Sequence, residues 1–339
     1  VSAFLLNRSS DLMNSKILTM NKSFFKVLRA GINTTYQDEG RFGLQHLGIA
    51  AGGCMDYKNF FLGNSLVKNK SQEGVIEFAY QGPLLRLMKG NTKIAITGNV
   101  YFQIIYSKND KKIDGECYRS YDLMEGDQID IIATQKSVYG YLSVENGFDV
   151  KPFFNSISTL SRAQIGPNEG KKLNTDNEIF IKENSKIKNN FISKVSFKTK
   201  NIIRVLKGFQ YDYFSEKSKK DFFSKSYNIT NLTDRMGMRL EGETINNIVN
   251  TNIKSEGITK GAIQIPADGQ PIILLTDHPT IGGYPKIANV ISADYDVLIQ
   301  KTPGENIEFK LIELNEAEEL YKEYLAEIKE IIKDIKEIN

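Results

Sequence analysis

The chain has 339 residues, 40% hydrophobic and 25% charged, which is enough to bury the core of one large domain or two ordinary ones. A formal net charge of +3 does not mark a nucleic-acid binder, and no apolar run reaches the roughly eighteen residues of a membrane helix. Cys54 and Cys117 stand far apart, and His46 and His278 are the only histidines. That set argues against a disulfide framework or a zinc site, so no metal is expected, and it suits a reducing cytoplasm.

In chain order, residues 1–22 read as an N-terminal extension. Their short apolar patch has no charged segment before it and no good cleavage site, so it is not read as a signal peptide. Short strands are expected at 24–29, 75–78, 84–87, 92–97, 101–106, 128–132 and 139–144, between turn formers such as Gly98, Asp110 and Gly126. One helix is expected at 56–67, where Tyr57, Phe60, Phe61 and Leu66 recur at near-helical spacing and Asp56 can cap. The polar stretch from 182 to about 200 reads as a linker. Strands resume at 202–206, 261–265, 272–276, 287–291 and 297–300, with a charged helix candidate at 215–224. From 314 to 338 the apolar residues Leu314, Ala317, Tyr321, Tyr324, Ile328, Ile331, Ile335 and Ile338 recur at threes and fours, which marks an amphipathic helix. The expected division is therefore 1–22, 23–195, 196–312 and 313–339. The class is mainly β, with a β-barrel or sandwich on each side of the linker.

Charge is uneven along the chain. Residues 182–225 hold twelve Lys or Arg against four Asp or Glu, and 313–339 hold nine acidic against four basic residues. Each run is either a solvated face or, for the basic one, a surface for an acidic partner.

The densest chemistry lies at 276–294, T-D-H-P-T-I-G-G-Y-P-K-I-A-N-V-I-S-A-D. Gly282 and Gly283 free the backbone for close approach, Pro285 stiffens it, and Lys286 is delivered at the mouth of a strand beside Tyr284. Such a cation suits an anionic or carbonyl-bearing ligand. A second cluster, 34–56, offers Gln37, Asp38, Arg41, Gln45 and His46 among five glycines. It is either a polar-ligand site or a structural loop in which Asp38 pairs with Arg41. Further clusters are 156–166, Asp234 and Arg235 before Gly237, and Q-I-P-A-D-G-Q-P at 264–271, where Gln264 and Gln270 are the ligand-facing candidates. His46 is the acid/base candidate by its ordinary pKa, or else a structural histidine. There is no G-x-x-x-x-G-K-[ST] loop, G-x-G-x-x-G or G-x-S-x-G. Met88-Lys89 lacks the Met expected after a biotin-accepting lysine, so no covalent biotin is expected on this chain.

In order and spacing, these clusters resemble the biotin-dependent carboxyltransferase-like family over roughly residues 24–313. That family includes the C subunit of bacterial 5-oxoprolinase, the second half of the urea carboxylase carboxyltransferase domain, and the antagonist of a sporulation-kinase inhibitor. The chain departs from the family pattern at Phe42, Ala50, Ala51, Cys54 and Asn289, and around S-T-L-S-R-A-Q-I-G-P. The resemblance implies two cyclophilin-like β-barrel subdomains. It also implies two partners, the A subunit of 5-oxoprolinase plus its kinase-inhibitor-like B subunit, in a complex that opens 5-oxo-L-proline to L-glutamate. ATP would be the co-substrate, bound in this chain, in the B subunit or between them. For such a reaction Lys286, Arg235 and Arg41 are the candidate cations, and Gln264, Gln270 and Gln45 could orient the lactam. Two other readings stand beside it: a carboxyl transfer from biotin to urea or a related amide, and a non-catalytic regulator of a kinase inhibitor.

Overall fold

The computed structural model describes residues 22–196, 200–249 and 252–338. The N-terminal extension expected at 1–22 lies almost wholly outside the described residues. The first part of the chain forms two antiparallel sheets around one core. The six-stranded sheet runs in the order Glu178–Phe180, Phe24–Arg29, Leu84–Lys89, Gln128–Thr134, Val100–Tyr106 and Lys111–Asp114. The five-stranded sheet runs Asn33–Gln37, Val75–Ala79, Tyr139–Val144, Asn91–Thr97 and Ser120–Met124. Alternate residues meet between them: Phe25, Val27, Leu85 and Leu87 from one, Ile76, Phe78, Ile94 and Ile96 from the other.

The strands Val75–Ala79 and Tyr139–Val144 are buried on both faces. Their second face packs against the rest of the chain, because Val75, Ala79, Tyr139 and Tyr141 share a core with Ile263, Ile287 and Val290. Period two then sends Glu77 to that same face. A carboxylate is thereby buried where the two parts of the molecule meet.

The second part is a closed barrel of seven strands, in the order Ile202–Lys207, Lys286–Val290, Ala262–Gln264, Ile272–Leu274, Gly237–Glu241, Ser226–Thr233 and Asn306–Leu311. A parallel pairing of the first and last closes it. Ile203, Val205, Tyr227, Ile229, Met238, Leu240, Ile273, Ile307 and Phe309 contribute to its core. Closure leaves the barrel without exposed strand edges.

Helix α1, Tyr57–Leu66, starts where expected, with the Asp56 carboxylate accepting from the Asn59 amide at 2.9 Å. Helix α2, Glu216–Ser224, is capped in the same way by Ser215. Helix α3, Ser292–Ile299, replaces the strand expected at 297–300. The run V-L-I-Q is short enough to fit either period, and in the structure Tyr295, Leu298 and Ile299 share a buried helical face. Helix α4, Leu314–Lys333, ends before the expected 338. Lys336–Ile338 instead forms a strand that pairs with Asn190–Ile192, inside the stretch read as linker. Ile331, Ile332 and Ile335 pack there with Leu62, Leu66 and Phe191. None of these helices is long and apolar enough to cross a membrane.

Candidate functional site

Most of the site residues expected from sequence fall into two groups. The first lies between the barrel and the two sheets. Gln37 ends its strand fully buried, accepting from the Ser158 hydroxyl at 2.5 Å and donating to the Thr159 carbonyl at 3.2 Å. Asp38 does not pair with Arg41. It accepts from the Gly40 amide at 2.8 Å, the Ser156 hydroxyl at 2.8 Å and the Ile157 amide at 2.7 Å. Arg41 is buried and donates to the Ser158 carbonyl, while its Nη1 has no hydrogen-bond partner. Burial pulls the guanidinium below its ordinary pKa, against the pull of Asp38 and Asp277. Gln45 and His46 sit on an exposed turn of 3-10 helix, Gln45–Leu47, away from these contacts.

Gly53 links the loop to the barrel. Its amide donates to Ser158 Oγ at 2.7 Å, and its carbonyl accepts from Arg235 Nη2 at 2.6 Å. A Cβ there would lie 2.7 Å from the Glu39 carbonyl oxygen, and φ is +98°, so only glycine fits the approach. Arg235 is 8% exposed. Its Nε and Nη2 hold Asp277 at 2.8 and 2.9 Å, and Nη1 holds Glu77. The other Glu77 oxygen accepts from the Met55 amide and the Tyr141 hydroxyl, each at 2.7 Å. Arg235 is thus a cross-brace between the barrel and the five-stranded sheet. Around it lie Cys54, whose thiol burial pushes up, and His278, which burial pulls down. His278 Nδ1 lies 2.7 Å from the Pro279 carbonyl, so that nitrogen carries the proton.

Below the brace lies a second buried network. Asp296 of α3 accepts from the Tyr57 and Lys58 amides at 3.1 and 3.0 Å and so caps α1 from the barrel side. Tyr324 of α4 donates to the same carboxylate. Gln300 joins the Asp56 carboxylate at 2.8 Å to the Val138 and Tyr139 amides. Burial, and then the charge of Asp296, push the Asp56 carboxyl up to about 7.

The second group lies further along the barrel wall. The Val290 amide donates to the Gly261 carbonyl, and Gln264 sits opposite Lys286 on the neighbouring strands. Lys286 is four residues from Val290, roughly 13 Å along the strand. Ile263 pairs with Ala288 and faces the core, so Gln264, the next residue, points the other way, and a register shift between the two brings Lys286 opposite Gln264 on that outer face. A two-stranded ribbon covers them, in which Glu256 and Gly257 pair with Gly282 and Ile281. Lys286 is 5% exposed, and its ammonium lies 2.5 Å from Glu256 Oε1, not aligned as a hydrogen-bond donor. Gln210 Nε2 donates to the same oxygen at 2.8 Å, and Gln210 Oε1 accepts from the Lys286 amide at 3.2 Å. Gln264 is 5% exposed and its Nε2 has no partner. Gly282 lies against that nitrogen, where a Cβ would come within 2.6 Å. The Gly283 carbonyl accepts from the Ile253 amide at 2.9 Å, and Tyr284 stands partly exposed beside it. Gln270 is in neither group. It clasps Gly242, accepting from its amide at 2.9 Å and donating to its carbonyl at 3.3 Å.

The structure therefore brings Lys286, Gln264, Gly282, Gly283 and Tyr284 together. It joins Gln37, Asp38, Arg41 and Arg235 into another assembly. Sequence reasoning missed Gln210, Glu256, Glu77 and Asp277. A lone Glu inside the apolar run V-I-E-F-A was a usable signal for Glu77; nothing local marks Gln210. Among the described residues there is no cluster of His, Cys, Asp and Glu suited to a metal.

This fold and constellation define a carboxyltransferase-type β protein. The chain belongs to the family described as carboxyltransferase domain, subdomain A and B, which matches residues 47–311. It is 34% identical over 309 residues to the protein named as the 5-oxoprolinase C subunit in Haemophilus influenzae, covering 90% of this chain and 98% of that relative. The protein of the same name from Escherichia coli is 29% identical over 295 residues, covering 86% and 92%. The solved urea amidolyase of K. lactis superposes with a TM-score of 0.81 at 25% identity, over 91% of this chain and 20% of that one. The family resemblance read from the segments 34–56, 234–242, 261–271 and 282–294 is borne out.

Proposed function

We propose that this chain is the C subunit of an ATP-dependent 5-oxoprolinase. With its A and B subunits in the cytoplasm, it opens 5-oxo-L-proline to L-glutamate. The two relatives that carry the 5-oxoprolinase C name, matched nearly end to end, support the reading. The observation that carries it is the buried pair of Lys286 and Gln264, a cation beside an amide donor that has no acceptor. A five-membered lactam bearing a carboxylate offers one group to each.

The lactam carbonyl is a poor electrophile; ATP as co-substrate would activate it by passing its γ-phosphoryl group to the oxygen with ADP leaving, so that water can add, the ring C–N bond opens and phosphate departs. This chain's residues bind and orient. Lys286 holds the substrate's negative charge, and Gln264 Nε2 donates to the lactam oxygen. The bare backbone of Gly282 and Gly283 lets the ring approach. Gln210 holds the Lys286 backbone in place.

The likeness to urea amidolyase favours a second reading, carboxyl transfer to an amide nitrogen by a complex with separate biotin proteins. Glutamate release from 5-oxo-L-proline and ATP, assayed with candidate A and B subunits and again with this chain omitted, separates the two. Turnover that requires this chain supports the first. No turnover from the folded, associated complex contradicts it.

A further inference from the structure

Three features of the ribbon over Lys286 belong together. First, the partner of the Lys286 ammonium is not buried. The Glu256 side chain is 42% exposed, whereas that of Lys286 is 6% exposed. Second, one carboxylate oxygen accepts from Gln210 and faces the Lys286 ammonium as its counter-ion without a hydrogen bond. Lys286 lies 2.5 Å and Gln210 Nε2 2.8 Å from Glu256 Oε1, and together they hold the Glu256 carboxyl below its ordinary range. Third, Gln264 Nε2 lies buried against Gly282, the residue paired with Glu256 across the ribbon, and receives no acceptor. The pocket therefore holds two donors, Gln264 Nε2 and Lys286 Nζ, to which the chain gives no hydrogen bond. Its one anion reaches in from solvent on a ribbon of two residue pairs. A buried donor without a partner is costly to a protein, and a ligand that supplies the acceptor recovers that cost.

Building on the function proposed above, we propose that Glu256 is a resident stand-in for a ligand carboxylate. A small acid that carries both a carboxylate and an amide carbonyl binds by displacing it. The carboxylate takes the Glu256 Oε1 position between Lys286 and Gln210, and the carbonyl accepts from Gln264 Nε2. Glu256 then swings to solvent, which it already half faces, and the ribbon lifts with it. The exchange sets specificity. A neutral lactam gains the Gln264 contact but cannot replace Glu256, so it binds without the cation.

The test is a binding titration of this chain and its Glu256→Gln variant. The probes are 5-oxo-L-proline and 2-pyrrolidinone, which is the same ring without the carboxylate. The variant keeps an acceptor for Gln210 and removes the competing charge. It should bind 5-oxo-L-proline about fivefold more tightly, the size of an exposed ion pair, and 2-pyrrolidinone no better than before. Lys286→Ala should lose the preference for the acid. No gain with Glu256→Gln, an equal gain for the neutral ring, or no binding of the acid by either protein overturns the exchange. The result is independent of the proposed activity. A tighter acid with no turnover in the full complex would keep the exchange and reject the oxoprolinase. Turnover that depends on Lys286, with KM unchanged in Glu256→Gln, would do the reverse.

Discussion

Arg235 and Lys286 are both buried cations on the barrel, yet their partners differ in kind. Arg235 meets a buried carboxylate, Glu77, a second, Asp277, that is only 13% exposed, and a backbone carbonyl, drawn from both parts of the molecule. Lys286 meets one carboxylate that is half in water, beside an amide with nothing to bind. A charge satisfied from within by buried partners is held for structure, because losing any partner strands another charge. A charge met by an exposed, replaceable partner is available to a ligand. Burial of the cation alone does not separate the two cases; burial of its counter-ion does.

The contrast predicts opposite phenotypes. Lys286→Ala should lower turnover of the assembled complex by at least about a hundredfold, while chemical denaturation moves by no more than about 1 kcal/mol. A stability loss as large as the activity loss would erase the distinction. Arg235→Met should do the converse. It strands Glu77 and Asp277 and should cost about 3–5 kcal/mol in urea unfolding. If its stability were unchanged, the cross-brace would carry no weight.

The buried network beneath the brace gives a third test. Asp56 has a folded pKa raised to about 7. The folded chain therefore holds this proton where the unfolded chain has released it. The stability it contributes is complete below about pH 4 and is lost as pH rises through about 7. Asp296 lies beside Asp56 and itself accepts from Tyr324, while Asn59 and Gln300 donate to Asp56. Asp56→Asn, which keeps the cap on α1, should flatten the fall in stability between those limits. An unchanged slope would assign the effect to other groups. The smallest expected effect is at Gln270, which clasps Gly242 rather than lining the pocket. Gln270→Ala should cost about 1 kcal/mol of stability and leave KM alone. A raised KM would return Gln270 to the binding residues.

Much of this contrast was legible in the sequence, but not which cation was which. The G-G-Y-P-K run announced a fixed lysine at a strand mouth, and the structure puts Lys286 there. D-R-M-G announced Arg235 equally well, and nothing local says that Glu77, far away in sequence, would reach it. The lone Glu in V-I-E-F-A could have marked a buried carboxylate, but nothing local says what Glu77 faces. The seven strands expected before residue 145 all formed, because each has period-two or compact apolar character between turn formers. The misread segments were the short or polar ones. V-L-I-Q at 297–300 is too brief to show its period. The strand at 190–192 is held by its pairing with Lys336–Ile338, which no local pattern reveals. Glu256 has no local signal at all; its role comes from the ribbon that lays it over Lys286.

The most direct test measures ATP-dependent glutamate release from 5-oxo-L-proline in the complete complex, with wild-type chain, with Lys286→Ala, and with the chain omitted. The proposed function predicts turnover with the wild type, and background release both with a folded, complex-forming Lys286→Ala and without the chain. Full turnover with Lys286→Ala, or without the chain, would contradict it.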